Sequence, residues 1–100
     1  MKLYSTNNRS KFVSLQEAVF KGLPEDKGLF MPEHLPKLPE DFIQQLENYS
    51  FAEIGFEVCK HLFQGTIPEA DLRAIIEKSI TFPAPVVQCD EQKAILELFH

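Results

Sequence analysis

Tryptophan is absent from these 100 residues, glycine occurs only four times and cysteine twice, and basic residues are outnumbered by acidic ones. The net charge of −5 lacks the basic excess that nucleic acids and anionic membrane surfaces attract, so neither is an expected partner. No apolar run approaches the roughly 18 residues of a membrane span. Cys59 and Cys89 form no C-x-x-C pair, which favours two reduced thiols in a cytoplasmic protein.

The motifs of a self-sufficient catalytic or metal site are also missing. His34, His61 and His100 share no metal-ligand spacing, so no metal site is expected. The glycines form neither a phosphate-binding loop nor a dinucleotide fingerprint, and no serine lies in a nucleophile elbow. The acidic pairs at 40–41 and 90–91 fall at a helix start and in a turn, where acids have structural roles. The residues alone indicate a folded module without a catalytic residue.

What the sequence does contain is typical of one small globular domain over residues 1–100. Hydrophobic residues make up 44% and charged residues 25%, and phenylalanine occurs nine times. Strand and helix signals alternate along the chain, which predicts an α+β domain of about four helices with a few short strands.

The predicted elements follow from caps, prolines and alternation. Lys2 to Thr6 predicts a strand that ends in a turn at 7–10, and residues 28–39 predict an extended segment that crosses the core. Predicted helices begin at Ser14, at Pro39 (to about Glu47), at Ser50 and at Thr66 (to about Ile80), three of them with a capping box. Val86–Cys89 and Ala94–Phe99 predict a hairpin around a polar turn.

The two longer helices are expected to pack on each other and to form the core of an autonomous domain. The third helix has an apolar stripe, and the fourth has another. The residues expected in this core are Phe51, Ile54, Val58 and Leu62 from the third helix, and Leu72, Ile75 and Ile76 from the fourth.

Four stretches, in this order, resemble the N-terminal segment of threonine synthase: LYST (3–6), VSLQEAVFKGLP (13–24), GLFMPE (28–33) and LELFH (96–100). That family is similar in its Tyr-x-Ser-Thr strand, its V-S-x-x-E-A-V helix and its D-G-G-L-[FY]-x-P-E loop. Lys27 departs from the pattern because it replaces the first of the paired glycines. Since a left-handed backbone is costly for lysine, we expect only Gly28 to need that conformation.

The resemblance implies an enzyme that converts O-phospho-L-homoserine and water into L-threonine and phosphate with pyridoxal phosphate. In the family, the lysine that binds this cofactor lies in an ELFHGPTxAFKD stretch. None of the eight lysines of this sequence stands in that context. Residues 94–100 are therefore expected to lead into a missing catalytic domain of fold type II. No catalytic or cofactor-binding residue is expected here, and only His100 is expected near the substrate, with loop support an equal alternative.

The resemblance also implies that the main partner is the protein's own catalytic domain. We expect it to cover Ile95, Leu96, Leu98 and Phe99, and we expect the exposed apolar surface of the chain alone to drive self-association. The alternatives are a free-standing interaction or regulatory module, and a different member of the same cofactor fold type.

Overall fold

The computed structural model of the chain describes residues 1–99 and places them in four α-helices and two small antiparallel sheets, which confirms the α+β prediction. A single-turn 3-10 helix, Leu46–Asn48, follows the second α-helix. The elements, in chain order, are β1 (Lys2–Ser5), β2 (Asn8–Ser14), α1 (Leu15–Lys21), β3 (Phe30–Pro32), α2 (Glu40–Gln44), α3 (Phe51–Leu62), α4 (Glu69–Ser79), β4 (Val86–Asp90) and β5 (Lys93–Leu96).

The first sheet has the order β2-β1-β3, so the predicted first strand is its centre. Leu3 of β1 is buried, and it lies opposite Val13 on one side and Pro32 on the other. The turn predicted over residues 7–10 was wrong beyond Asn7, because β2 begins at Asn8. Strand β2 lies at the sheet edge and most of its residues are exposed, so it can be polar. Its polar residues therefore gave no strand signal in the sequence.

Helix α1 begins where the sequence predicts. The Glu17 backbone N–H donates a hydrogen bond to Ser14 Oγ at 3.1 Å, so Ser14 is the N-cap. Gly22 ends the helix with a φ of 71°, a conformation that glycine adopts without a Cβ clash.

The segment over residues 28–39 does not cross the core, contrary to the prediction. It contributes the short strand β3 to the edge of the first sheet, and Leu29, Met31 and Leu35 along it are exposed. Its prolines lack the N–H that a central strand must donate, which restricts such a segment to an edge or a loop. The next helix, α2, ends earlier than predicted, at Gln44 rather than about Glu47.

The capping-box predictions had different outcomes at α3 and α4. At α3, the Ser50 N–H donates to Glu53 Oε2 at 2.7 Å and the Glu53 N–H donates to Ser50 Oγ at 3.3 Å, so the box is confirmed. At α4, the helix begins at Glu69 after Pro68, and no side chain caps it. Thr66 was therefore wrongly predicted as a cap; its N–H donates to the Phe63 carbonyl in the turn after α3.

Helices α3 and α4 pack on each other as predicted, and the small buried cluster between them confirms Leu72 and Ile76 as core residues but adds Phe56, which was not predicted. Phe56, Leu72 and Ile76 are buried there, and the Arg73 guanidinium lies 3.9 Å from the centre of the Phe56 ring, which adds a cation–π contact. Phe51 and Ile75, both predicted to be core residues, are about half exposed. Helix α3 carries apolar residues on several sides, so its periodicity did not show that the side with Phe56 is the buried one.

The chain buries less surface than a free-standing domain of its size. Its accessible surface is 7869 Å², about 2,000 Å² more than a folded monomer of 11.5 kDa is expected to expose. Its radius of gyration is 16.5 Å, against about 13 Å for a compact domain of this length. The expectation of an autonomous core is therefore not supported by the packing within residues 1–99.

Truncation of Leu72 and of Ile75, which lie about one turn apart on α4, tests the observed core. Leu72 is 2% exposed and Ile75 is 50% exposed. We expect Leu72→Ala to lower the free energy of unfolding by about 2–5 kcal/mol, because it opens a cavity among buried side chains. Ile75→Ala, the matched control, should cost less than about 1 kcal/mol. Urea denaturation followed by circular dichroism measures both, and equal losses would contradict the packing described here.

Candidate functional site

A group of residues that we term the turn cluster joins the end of β1 to the loop before β3. Its members are Ser5, Asn7, Asp26 and Gly28, which are linked by hydrogen bonds, and Lys27, which lies between the last two in sequence. Ser5 Oγ donates to Asp26 Oδ1 at 2.5 Å and accepts the Asn7 backbone N–H at 3.2 Å. Asn7 Nδ2 in turn donates to the Asp26 carbonyl oxygen at 2.8 Å. These bonds connect segments about twenty residues apart in sequence and fix the path of the loop.

Asp26 is ionised in this cluster. Its carboxylate accepts the Ser5 hydroxyl and, at 3.0 Å, the Gly28 backbone N–H. Both hydrogen bonds favour the charged form and lower the pKa of Asp26 below its ordinary value of 3.8, the Ser5 bond contributing most. Each of these hydrogen bonds also gives a donor of the turn its partner. Asp26 therefore stabilises the turn and is not a candidate general acid.

The backbone of the loop corrects the expectation for the two positions that are paired glycines in the family. Lys27 has a φ of 62°, the left-handed conformation, whereas Gly28 does not have a positive φ. Gly28 is needed for space instead: a Cβ there would lie 2.9 Å from Thr6 Oγ1 and closer still to Ser5 Oγ. A glycine can be favoured by a left-handed backbone, as at position 27, or by a lack of space for a Cβ, as at position 28. The sequence alone could not tell which reason applies to which position.

A shallow cleft lies beside the turn cluster, but its residues do not form a ligand site. Its volume is about 150 Å³, below the roughly 300 Å³ at which pockets for small-molecule ligands begin. Of the two cations that line it, Lys21 is engaged by Glu17 at 3.0 Å and by Glu25 at 3.4 Å. Hydrogen bonding and charge from Glu17 raise the pKa of Lys21. The turn cluster is therefore a structural element.

The other polar residues considered from the sequence are dispersed. His34 is exposed, with Nε2 3.9 Å from a Glu33 carboxylate oxygen, and His61 Nδ1 lies 2.8 Å from the Glu57 carbonyl oxygen of its own helix. His100 lies outside the described residues. Within residues 1–99, no three His, Cys, Asp or Glu side chains are grouped as metal ligands, and no helix is long and apolar enough to span a bilayer.

The strongest surface feature is apolar and lies on the hairpin of β4 and β5, which has the predicted polar turn. Four residues at the open end form what we term the hairpin base: Val86, Val87, Ile95 and Leu96. All four are exposed, as are Leu98 and Phe99 beyond them. The Glu97 N–H donates to the Pro85 carbonyl at 3.0 Å and continues the ladder by one bond.

Helix α1 presents a second apolar surface. Ala18 is buried against the first sheet, but Val19 is exposed together with Phe20 and Leu23. Phe20 is 83% exposed, an unusual state for a phenylalanine. Exposed apolar side chains at two separate places are candidate contact surfaces.

Comparison with known proteins identifies the family of the chain. Residues 2–80 match the family model described as threonine synthase N terminus. The chain belongs to this family. It is 36% identical to threonine synthase of Haemophilus influenzae over 100 residues, and 36% identical to that of Schizosaccharomyces pombe over 102 residues. The crystal structure of threonine synthase from Escherichia coli superposes on the whole chain with a TM-score of 0.87 at 31% identity.

These relatives confirm the family predicted from the four sequence motifs, and the Escherichia coli structure confirms the predicted fold class. The chain covers only part of each relative: 23% of the Haemophilus influenzae protein, 20% of the Schizosaccharomyces pombe protein and 23% of the Escherichia coli structure. The match is to the N-terminal domain, and the greater part of each relative lies beyond it.

Substitutions at positions 27 and 28 should have opposite effects on stability. Lys27→Gly removes left-handed strain of about 1–2 kcal/mol and adds a backbone entropy cost of about 0.5–1 kcal/mol, so a small net stabilisation is expected. Gly28→Ala places a Cβ against Ser5 Oγ, which is held by Asp26, and should destabilise by about 1–3 kcal/mol. Urea denaturation of both variants checks this. Destabilisation by Lys27→Gly, or a neutral Gly28→Ala, would contradict the geometry of the turn cluster.

Proposed function

We propose that the chain is the N-terminal domain of a pyridoxal-phosphate-dependent threonine synthase, which converts O-phospho-L-homoserine and water into L-threonine and phosphate. The observation that carries this proposal is the similarity of the whole chain, at 36% and 31% identity, to the start of curated threonine synthases. Enzymes of this kind are lyases that eliminate phosphate, and the cofactor, when bound, accepts electrons from the substrate carbon skeleton.

The residues described here do not fit the role of the cofactor lysine. Such a lysine must lie in an enclosed, dry pocket and lose its proton readily. Seven of the eight lysines are exposed, and the half-buried Lys60 has its Nζ 3.8 Å from a Glu69 carboxylate oxygen. We therefore place the lysine in the catalytic part of the longer protein, beyond the residues of this domain.

The role proposed for this domain is to dock on that catalytic part, a core of fold type II, and to direct the chain into it. The apolar surfaces on α1 and on the hairpin base supply the contact, and residues 94–100 lead from the hairpin toward the active site. His100 is the one residue of this chain that we place near the substrate. A free-standing regulatory module is disfavoured, because it would have to cover these apolar surfaces by itself.

Two further properties belong to the proposal. Cys59 and Cys89 are both free thiols, which suits the reducing conditions of the cytoplasm, the location we propose. In the absence of the catalytic part, the exposed apolar residues give the domain a tendency to associate with itself.

A comparison of this chain with the full-length protein tests the proposed activity. Each protein is titrated with pyridoxal phosphate while the visible absorption of the cofactor is followed, and phosphate release from O-phosphohomoserine is then measured. We expect saturable binding and phosphate release from the full-length protein and neither from residues 1–100. Full-length Lys60→Ala serves as a control and should retain activity, because this lysine is paired within the domain.

Two outcomes would contradict the proposal. Saturable binding and phosphate release by residues 1–100 alone would mean that the cofactor lysine lies among the eight described here. A folded full-length protein that binds the cofactor without releasing phosphate would mean that the substrate is a different one.

A further inference from the structure

The hairpin base is apolar on both of its faces. Val86 lies opposite Leu96, and Val87 lies opposite Ile95. Because successive residues of a strand point to opposite faces of the sheet, the first pair occupies one face and the second pair the other. Each face of this two-stranded sheet therefore presents a cross-strand pair of large aliphatic side chains.

Neither face is fully covered by other residues within 1–99. The four side chains are between 42% and 68% exposed, and residues 1–99 pack no other helix or strand extensively against β4 and β5. A sheet with one solvated face alternates apolar and polar residues, whereas strands that are buried on both faces are continuously apolar. An isolated two-stranded hairpin is marginally stable in water. The pattern of the hairpin base is thus that of a buried sheet.

The other end of the hairpin has the opposite character. Its turn consists of the polar residues Asp90, Glu91, Gln92 and Lys93. Lys93 Nζ lies 3.5 Å from Asp90 Oδ2, and the Gln92 N–H donates to Asp90 Oδ1 at 2.9 Å. Polarity therefore changes along the hairpin, from an apolar base to a turn whose groups are already satisfied in water.

The size of the uncovered surface and the length of the relatives indicate what covers the base. The excess surface of about 2,000 Å² is larger than the roughly 800 Å² that one partner contributes to a standard protein interface. The Escherichia coli threonine synthase structure superposes on this chain with only 23% of its length. The remaining polypeptide of the same protein is therefore an available and sufficient partner, and it is present at an effectively high concentration.

We propose that the hairpin base is inserted between two layers of the catalytic part of the full-length protein, so that both of its faces are buried while its turn stays in water. This inference rests on the proposed function, since it takes the catalytic part as the occupant. It is more specific than docking alone, because attachment to a flat surface would cover one face and leave the other exposed.

Single cysteines in the full-length protein distinguish insertion from one-sided docking. In a Cys59→Ser, Cys89→Ser background, Val86→Cys and Val87→Cys report on the two faces, and Gln92→Cys in the turn is the matched control. The rate of maleimide labelling of each is measured in the native protein and in urea. We expect both base positions to react at least about a hundredfold more slowly in the native protein than in urea, and the control to differ by less than about tenfold.

Rapid native labelling at either Val86→Cys or Val87→Cys, similar to that of the control, would overturn the proposal. Cysteine is close in size to valine, and circular dichroism confirms that each variant is folded. A second copy of the protein as the occupant would make the protection decrease on dilution, which would also overturn it. Protection of both positions in a protein that releases no phosphate would support the insertion and refute only the proposed activity.

Discussion

Apolar surface that cannot be buried within residues 1–99 is the constraint on which the remaining features of this domain depend. The contact of α3 with α4 buries Phe56, Leu72 and Ile76, and the first sheet and α2 add only isolated buried residues such as Leu3 and Phe42. Helix α1 and the hairpin base leave comparable apolar side chains in water. Hydrophobic burial is the dominant favourable contribution to folding, so this distribution favours our proposal that another part of the protein covers these surfaces.

Polar interactions determine the local structure that presents those surfaces. The turn cluster fixes the loop after α1 through the Asp26 carboxylate, and the capping box at Ser50 fixes the start of α3. Each such hydrogen bond contributes roughly 0.5–1.5 kcal/mol, so these contacts specify geometry more than they supply stability. This division of roles suits the N-terminal domain of a threonine synthase, in which we propose that the apolar faces dock on the catalytic part.

Local signals in the sequence predicted more of the fold than of its packing. The family motifs, the capping box at Ser50 and the hairpin around residues 90–93 rest on short-range chemistry, and all of them are confirmed. Strand β2 was missed because an edge strand can be polar, and Phe56 was missed because a helix that is apolar on several sides does not reveal which side is buried. Lys27 shows the same limit, since its residue type does not reveal that its backbone is left-handed.

Hydrogen–deuterium exchange of the hairpin, in residues 1–100 alone and in the full-length protein, tests the dependence on the catalytic part most directly. Burial of the hairpin in the catalytic part should slow the exchange of the β4 and β5 amides at least about tenfold in the full-length protein, while those in the α3–α4 contact change less. Equal exchange of the hairpin amides in the two proteins would contradict this prediction, because the hairpin would then be as stable without the surface that is proposed to cover it.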